Sequence, residues 1–319
     1  MGSYYKFSQY LKDLYGEKVY KLPIAVKGTC PNRDPITGKG GCTFCAEDAQ
    51  TQHLLSDELT IKQQLKINRD YIGNRYGAKK FISYFQNYTA TFREPEIIRD
   101  MVIQAIEEDI VEVCLSTRPD CVEEEVLDVL SDIKAKMNVN ITLELGLQSV
   151  NDRTLLEIRR GHTLEDYIDA VKRIKKRGFF VGTHIIANLP GDGYDEVIRA
   201  AKLFSELDID RVKLHSLYIS RTSQLAELYL SNKIDMKTHH DYLNRLLLFI
   251  YHLKKTIALE RFFARAPEGD ALFCNWNHSW RYLQNTIEEL LVEKDIKQGD
   301  YYESKTGMGS IINSIQSGC

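Results

Sequence analysis

Leu22-PIAVKGT-Cys30-PNRDPITGKGG-Cys42-TF-Cys45 joins a short apolar run to three cysteines crowded within sixteen residues. The run, from Leu22 to Lys27, reads as a first strand, and the cysteines lie on the loop directly after it. In parallel α/β folds such loops, at the carboxyl ends of the strands, line the catalytic face, so all three thiolates can converge there. The chain has seven cysteines, an odd number; in a reducing compartment this arrangement points to metal rather than disulfides. A structural zinc site closes with four ligands, and no fourth Cys or His follows at finger-like spacing, His53 being the nearest candidate. Three thiolates instead leave one position open, as in a [4Fe-4S] cluster whose fourth iron can chelate a small molecule. Gly38, Gly40 and Gly41 let so long a loop wrap a cluster.

Working outward, apolar or β-branched runs recur, each followed by an amphipathic segment, the pattern of repeated βα units around a parallel sheet. Six strands are expected, over Leu22–Lys27, Lys80–Phe85, Val111–Ser116, Ile141–Gln148, Phe180–Leu189 and Arg211–Leu217. Helices are expected over Pro95–Glu108, Val122–Met137, Leu164–Arg177 and Glu196–Leu207, with Gly178 closing the third behind a basic last turn. Six such units make an incomplete (β/α)6 parallel barrel. A helical lead-in over residues 1–20, the core over 21–220 and a mainly helical C-terminal extension over 221–319 follow, the extension opening with a long helix over Thr238–Leu259 that can cover the open side of the barrel. The Gly- and Ser-rich end from Thr306 to Cys319 reads as mobile.

With 319 residues, 43% of them hydrophobic and 27% charged, the chain can bury one large core or two modest ones. A formal net charge of −3 gives no global attraction to nucleic acid, so RNA binding would need local basic patches. No apolar stretch reaches membrane-spanning length, and the start lacks a secretory apolar region; a cytoplasmic protein is expected.

The triplet after the first strand, with Phe44 between the last two cysteines, resembles the radical S-adenosylmethionine superfamily. The eleven residues between Cys30 and Cys42 exceed the commonest gap in that superfamily and resemble the subgroup of the Elongator catalytic subunit and its bacterial relatives. The resemblance implies one [4Fe-4S] cluster on Cys30, Cys42 and Cys45, S-adenosylmethionine bound to it, a 5′-deoxyadenosyl radical formed by one-electron reduction, and an electron donor such as flavodoxin or ferredoxin. Relatives carry a glycine-rich turn after the second strand; here Phe85-Gln86-Asn87-Tyr88-Thr89 stands instead, so the side-chain amides of Gln86 and Asn87, and their backbone, would take over binding of the methionine amino group. Glu144-Leu-Gly146-Leu-Gln148-Ser149 resembles a strand ending of the subgroup that directs Gln148 at the cofactor. Residues 144, 146 and 148 share one face of a strand, and Glu144 there needs a partner, either Gln148 or a lysine. By spacing, Arg160 matches an arginine that pairs with the methionine carboxylate, while Ser116 and His184 fall where relatives place ribose-binding groups. Gly191 in the Leu-Pro-Gly turn and His215 on the sixth strand are further candidates for cofactor or substrate contact.

The Elongator-like subgroup implies a wobble uridine of transfer RNA as substrate. Two basic stretches are compatible: Lys172 to Arg177, and Lys254, Lys255, Arg261 and Arg265 before Trp276 and Trp280. A radical enzyme acting on a small metabolite or peptide, and a zinc-stabilised RNA-binding protein without catalysis, are the alternatives. Cys114 reads as a small buried residue, Cys121 as a thiol in the loop after Pro119, either able to donate a hydrogen atom; Cys274 and His278 are too few for a second metal.

Overall fold

The computed structural model describes residues 2–36, 38, 40–46, 54–265 and 269–303. His53 and the segment from Thr306 to Cys319 lie outside them. In chain order the elements are α1 (Phe7–Tyr15), β1 (Val19–Ile24), α2 (Ile61–Tyr76), β2 (Lys80–Phe85), α3 (Pro95–Gln104), β3 (Ile110–Thr117), α4 (Glu124–Met137), β4 (Asn140–Gln148), α5 (Asp152–Glu157), α6 (Leu164–Lys176), β5 (Phe180–Ile186), α7 (Tyr194–Glu206), β6 (Arg211–His215), β7 (Ile219–Ser220), α8 (Leu225–Leu230), α9 (His239–His252), β8 (Ala258–Leu259), β9 (Ala271–Phe273), α10 (Trp280–Glu293) and α11 (Asp300–Glu303). Seven strands form one parallel sheet in the order β1-β2-β3-β4-β5-β6-β8, a half-barrel with helices outside, and β7 and β9 form a separate antiparallel ribbon.

The expected six-unit barrel is present, with a seventh strand added from the extension. The helix expected over Thr238–Leu259 ends at His252, and Leu253 is extended (φ −95°, ψ 130°). The chain turns through Lys254–Thr256, and Ala258 donates its backbone N–H to Asp210 (3.0 Å) to begin β8 beside β6. Leu246, Ile250, Leu253 and Ile257 keep helical spacing through the break, so periodicity alone did not reveal it.

The first strand also sits three residues earlier than expected. Val19 to Ile24 pair with Lys80 to Phe85, but Ala25 and Val26 run on extended without a strand partner. Side-chain amides replace one. Gln64 on α2 accepts from the Ala25 N–H and donates to its carbonyl, both at 2.8 Å, while Asn87 does the same for Val26 at 3.0 and 2.8 Å. Such pairing meets the rule that buried backbone polar groups find partners, and it aims the chain from β1 into the cysteine loop.

The helices outside the sheet are locally encoded. Thr60 and Gln63 form a capping box that starts α2, and Thr163 and Asp166 one that starts α6. The last turn of α6 is basic and Gly178 follows in the left-handed region at φ 67°. The amino-terminal mouth of the barrel is closed by α1, whose Leu11 packs with Val19, Ile82, Tyr84 and Cys114, and whose Tyr15 hydroxyl donates to Glu112 (2.9 Å). On the open edge, the Leu259 N–H donates to the Tyr5 carbonyl (2.9 Å), so the chain start lines β8. Buried Gln298 fastens the chain start to this edge, donating to the carbonyls of Lys254 and Ile257 and accepting from the Tyr5 N–H. No helix among the described residues is long and apolar enough to cross a membrane.

Candidate active site

The cysteine loop leaves β1 at the carboxyl end of the sheet and is held by short-range turns and long-range straps. The Cys30 carbonyl accepts from the N–H groups of Arg33 and Asp34, each at 2.9 Å, and the Cys45 N–H donates to the Cys42 carbonyl at 3.1 Å. Thr43 is tied at both peptide groups, donating to Ile158 (3.1 Å) and accepting from Leu225 (3.0 Å). Asn32 bridges the loop to the segment after α5: its amide nitrogen reaches the Arg159 carbonyl at 2.6 Å and the Cys42 sulfur at 3.2 Å. Gly161, at φ 81°, allows this closeness, because a Cβ there would stand 2.8 Å from the Asn32 oxygen and 2.9 Å from an Arg118 nitrogen.

Arg160 is the strongest link between this loop and the sheet. Its Nε and Nη2 donate to the Gly146 carbonyl at 3.0 and 2.6 Å, and Nη1 lies 3.6 Å from the Cys42 sulfur. The bare α-carbon of Gly146 makes room, since a Cβ would sit 2.6 Å from Arg160 Nη2 and 2.9 Å from Gln148 Nε2. Gln148 itself has φ 78°, and the pairing of β4 with β5 shifts register between Gly146 and Gln148. The bulge turns Gln148 back over Gly146, so Gln148, Arg160 and Cys42 meet. A hydrogen bond from Cys45, then the Arg160 charge and the Asn32 amide, hold the Cys42 thiol well below its ordinary range although burial opposes them. Cationic and amide donors thus favour a thiolate at Cys42. Among the described residues no three His, Cys, Asp or Glu side chains are gathered as they would be round a single metal ion; a cubane cluster spreads its ligands over separate iron corners.

The other expected contacts divide. The Gln86 side chain is half-buried with no hydrogen-bond partner among the described residues, and its backbone N–H donates to Ile24 (3.3 Å). Asn87 differs from expectation: both ends of its amide are spent on Val26, so only its backbone is open to a ligand. Ser116 donates to the Tyr84 hydroxyl (3.1 Å), and His184 contacts the Glu144 carboxylate, so both belong to the barrel interior instead of standing free for a ribose.

That interior centres on Glu144, 2% exposed. It accepts from Lys21 (2.8 Å), Lys213 (3.1 Å) and Tyr84 (2.7 Å) as well as His184, resolving its partner as lysine. Glu260 balances the second ammonium, bonding Lys21 at 2.8 Å and standing 3.5 Å from Lys213. Burial pushes both carboxyls up, but Lys21 and Lys213 prevail, leaving Glu144 well below the usual carboxylate range and Glu260 at about 2. Cys114 is sealed in this layer, 3.7 Å from Glu144, and burial pushes its thiol up. Cys121 is also buried, its thiol pushed up to about 12 by burial and Asp120. His215 lies 3.3 Å from an Arg261 nitrogen, its ring 5.5 Å from that of His184.

The two basic stretches fare differently. In the first, Arg173 pairs with Asp169 (2.7 Å), Lys175 with Asp210 (3.1 Å) and Arg177 with Glu124 (2.6 Å), so most of its charge is spent within the fold. In the second, Lys254 and Lys255 precede β8 at the far end of the barrel, Lys255 paired with Glu303 (2.6 Å), while Arg261 and Arg265 follow β8 on the open edge. Trp276 is a packing residue against Tyr242 and Phe273 whose ring N–H donates to Lys237 (3.0 Å); Trp280 lies under Arg265, at 4.1 Å from ring centre to guanidinium.

Residues 30–204 match the family model described as Radical SAM superfamily, and residues 209–292 the Radical_SAM C-terminal domain. The chain belongs to the radical S-adenosylmethionine superfamily. It is therefore an enzyme of the kind that uses a [4Fe-4S] cluster and S-adenosylmethionine. It is 35% identical to protein YhcC of Escherichia coli K12 over 82% of this chain and 84% of that one. It is 31% identical to the tRNA uridine(34) acetyltransferase of Methanocaldococcus infernus over 37% of this chain and 22% of that protein. Among solved structures, an N-terminally truncated Elp3 from the same archaeon shares the fold, with a TM-score of 0.65 at 16% identity over 90% of this chain and 67% of that one. For the radical S-adenosylmethionine enzyme described here, the likeness to the acetyltransferase covers a little over a third of the chain, and that to Elp3 is one of fold.

Several residues of this radical enzyme's mouth escaped the reading of sequence. Arg118, 2% exposed, chelates Asp120 (2.8 and 2.6 Å) and keeps Nη1 buried without a partner among the described residues. Arg93 lies against Gly28 with two buried nitrogens that have no hydrogen-bond partner among the described residues, and burial lowers its pKa. The signal was present in Ser-Thr-Arg118-Pro-Asp at the end of β3, where a charged residue closing a buried strand demands a reason. Asn32 and Glu260 carried none, because their partners are remote in sequence.

Proposed function

We propose that Cys30, Cys42 and Cys45 hold the cluster, and that Gln148, Arg160, Gln86 and the Asn87 backbone hold the methionine end of S-adenosylmethionine beside it. The observation carrying this reading is the meeting of Arg160, Gln148 and Cys42 over Gly146. A guanidinium has five N–H donors; three are engaged by Gly146 and Cys42, leaving two for a carboxylate in the planar geometry such pairs favour. Asn32, Arg33 and Arg118 add donors and positive charge beside thiols that must give up protons. When bound, the cluster supplies a low-potential electron that splits the sulfonium carbon–sulfur bond. The protein's share is to orient the methionine end and to keep the barrel mouth dry.

For the substrate we infer a uridine of transfer RNA. Its support is the sequence shared with proteins named as tRNA uridine(34) acetyltransferases and a half-barrel shared with Elp3. The test is anaerobic reconstitution with iron and sulfide, electron paramagnetic resonance after dithionite, and measurement of 5′-deoxyadenosine with and without transfer RNA. A cluster signal and 5′-deoxyadenosine, both lost in Cys42→Ala and the latter stimulated by transfer RNA, is the expected result. Zinc without iron, or a cluster indifferent to S-adenosylmethionine, would overturn the residue assignment. Turnover unaffected by any transfer RNA would overturn the substrate.

A further inference from the structure

The half-barrel leaves a gap between β1 and β8, and a cavity of about 690 Å³ fills it, within the roughly 300–1,000 Å³ range of ligand sites. Its wall includes Lys18, Lys21, Glu260, Arg261, Arg265 and Trp280. At its inner end Lys21 and Glu260 form the ion pair that joins the Glu144 layer, so the cavity leads from the surface to the barrel interior. Lys18, Arg261 and Arg265, by contrast, have no acidic partner among the described residues, unlike Arg173, Lys175 and Arg177 on the opposite surface. Arg261 keeps a buried Nε without a hydrogen-bond partner among the described residues, its Nη2 facing the ring of His215, whose pKa burial and the Arg261 charge hold well below its ordinary value. Arg265 lies flat enough over Trp280 for a cation–π contact at 4.1 Å, and Arg281 approaches the same ring at 5.3 Å. Tyr20, on the cavity rim, stacks on Tyr76 at 4.7 Å.

Unspent cations beside half-buried ring planes fit one chemistry, a phosphodiester with an unstacked base. Arginine guanidinium planes and aromatic rings both serve as platforms for splayed bases, and guanidinium forks suit phosphate oxygens. We propose that this open edge is where an unpaired loop of an RNA substrate lies, with Arg261 and Arg265 on its phosphate and the Arg265–Trp280 stack under a base. This rests on the RNA reading given above and adds the residues that would hold the loop.

The test measures fluorescence anisotropy of a labelled stem-loop RNA with the cluster-loaded protein, titrated at several salt concentrations. Arg265→Glu and Trp280→Ala should each weaken binding about tenfold or more, and Arg265→Glu should lower the slope of log affinity against log salt by about one. Lys136→Glu, on an exposed face of α4, should leave affinity within about twofold, and cluster absorption should be unchanged in all three. Wild-type-like binding by Arg265→Glu, or equal weakening by Lys136→Glu, would overturn the groove while leaving the RNA reading intact. If wild-type protein binds no RNA, the substrate reading itself fails and the groove assignment with it.

Discussion

Replacing Glu144 with Gln should be among the most damaging single changes in the barrel. Two ammonium groups, Lys21 and Lys213, share a closed layer with two carboxylates, Glu144 and Glu260, at contacts of 2.8 to 3.5 Å. Charge there sums to zero, and burial keeps His184 from protonating readily. A glutamine leaves one surplus positive charge sealed from water and turns N–H donors toward ammonium groups. Breaking such a buried pair costs about 3–5 kcal/mol, or roughly 4–8 °C in Tm for a chain of this size. Urea denaturation of the cluster-free chain followed by far-ultraviolet circular dichroism measures it. In the double variant with Lys213→Met the surplus charge disappears, so the two losses should fall short of their sum by about 1–3 kcal/mol. The sign with pH follows from the depressed carboxyl: burial alone would raise it, but Lys21, Lys213 and His184 lower it well below its ordinary 4.5. Its stabilisation is therefore complete above that value and lost as pH falls through the lower folded one. Wild type should lose stability in acid more steeply than Glu144→Gln. A loss below about 1 kcal/mol at neutral pH, or strict additivity with Lys213→Met, would refute the argument.

Gly146→Ala should push Arg160 and Gln148 apart, costing about 1–3 kcal/mol and abolishing S-adenosylmethionine binding measured by equilibrium dialysis. Asn87→Ala strips both partners from the Val26 peptide groups, a loss of about 2–4 kcal/mol by urea midpoint, with weaker cluster retention by iron analysis. Asp192, to which Thr154 donates at 2.6 Å, has its pKa raised from 3.8 to about 6, mainly by burial. The folded state thus favours its protonated form, and its cost to stability grows as pH rises through that window. Asp192→Asn should stabilise the protein by about 2–3 kcal/mol at pH 7, the gain vanishing below its unfolded value, as thermal melts at both pH values will show.

What the sequence disclosed follows the range over which each signal acts. The strand Lys80–Phe85 was legible to the residue because its short apolar run and its flanking turns are local. The cysteines, Gln148 and Arg160 could be singled out because they lie at or beyond the carboxyl ends of β1 and β4, where parallel topology gathers side chains onto one face. The Asn87 side chain looked open for the opposite reason: an amide after a strand appears available until Val26, sixty-one positions away, is seen to occupy it. Lys21 disguised the start of β1, since a lysine pointing into a barrel reads as a loop residue until Glu144 and Glu260 supply its charge partners. The end of α9 was hidden because apolar residues keep helical spacing beyond it, from Leu246 through Ile257.

The stitching of Gln298 to Tyr5 spans 293 positions. Closing a loop of that length is slow relative to the neighbour-to-neighbour pairing of β1 through β6, so the sheet can be built while its last edge still waits. Until then β8 has nothing on its outer side, and an unpaired edge is a template for another chain. Newly made protein should accordingly be most prone to self-association in the interval before Ser3–Lys6 and Gln298 arrive together, and fusions or truncations that disturb either segment should lower soluble yield before they touch the metal-binding mouth.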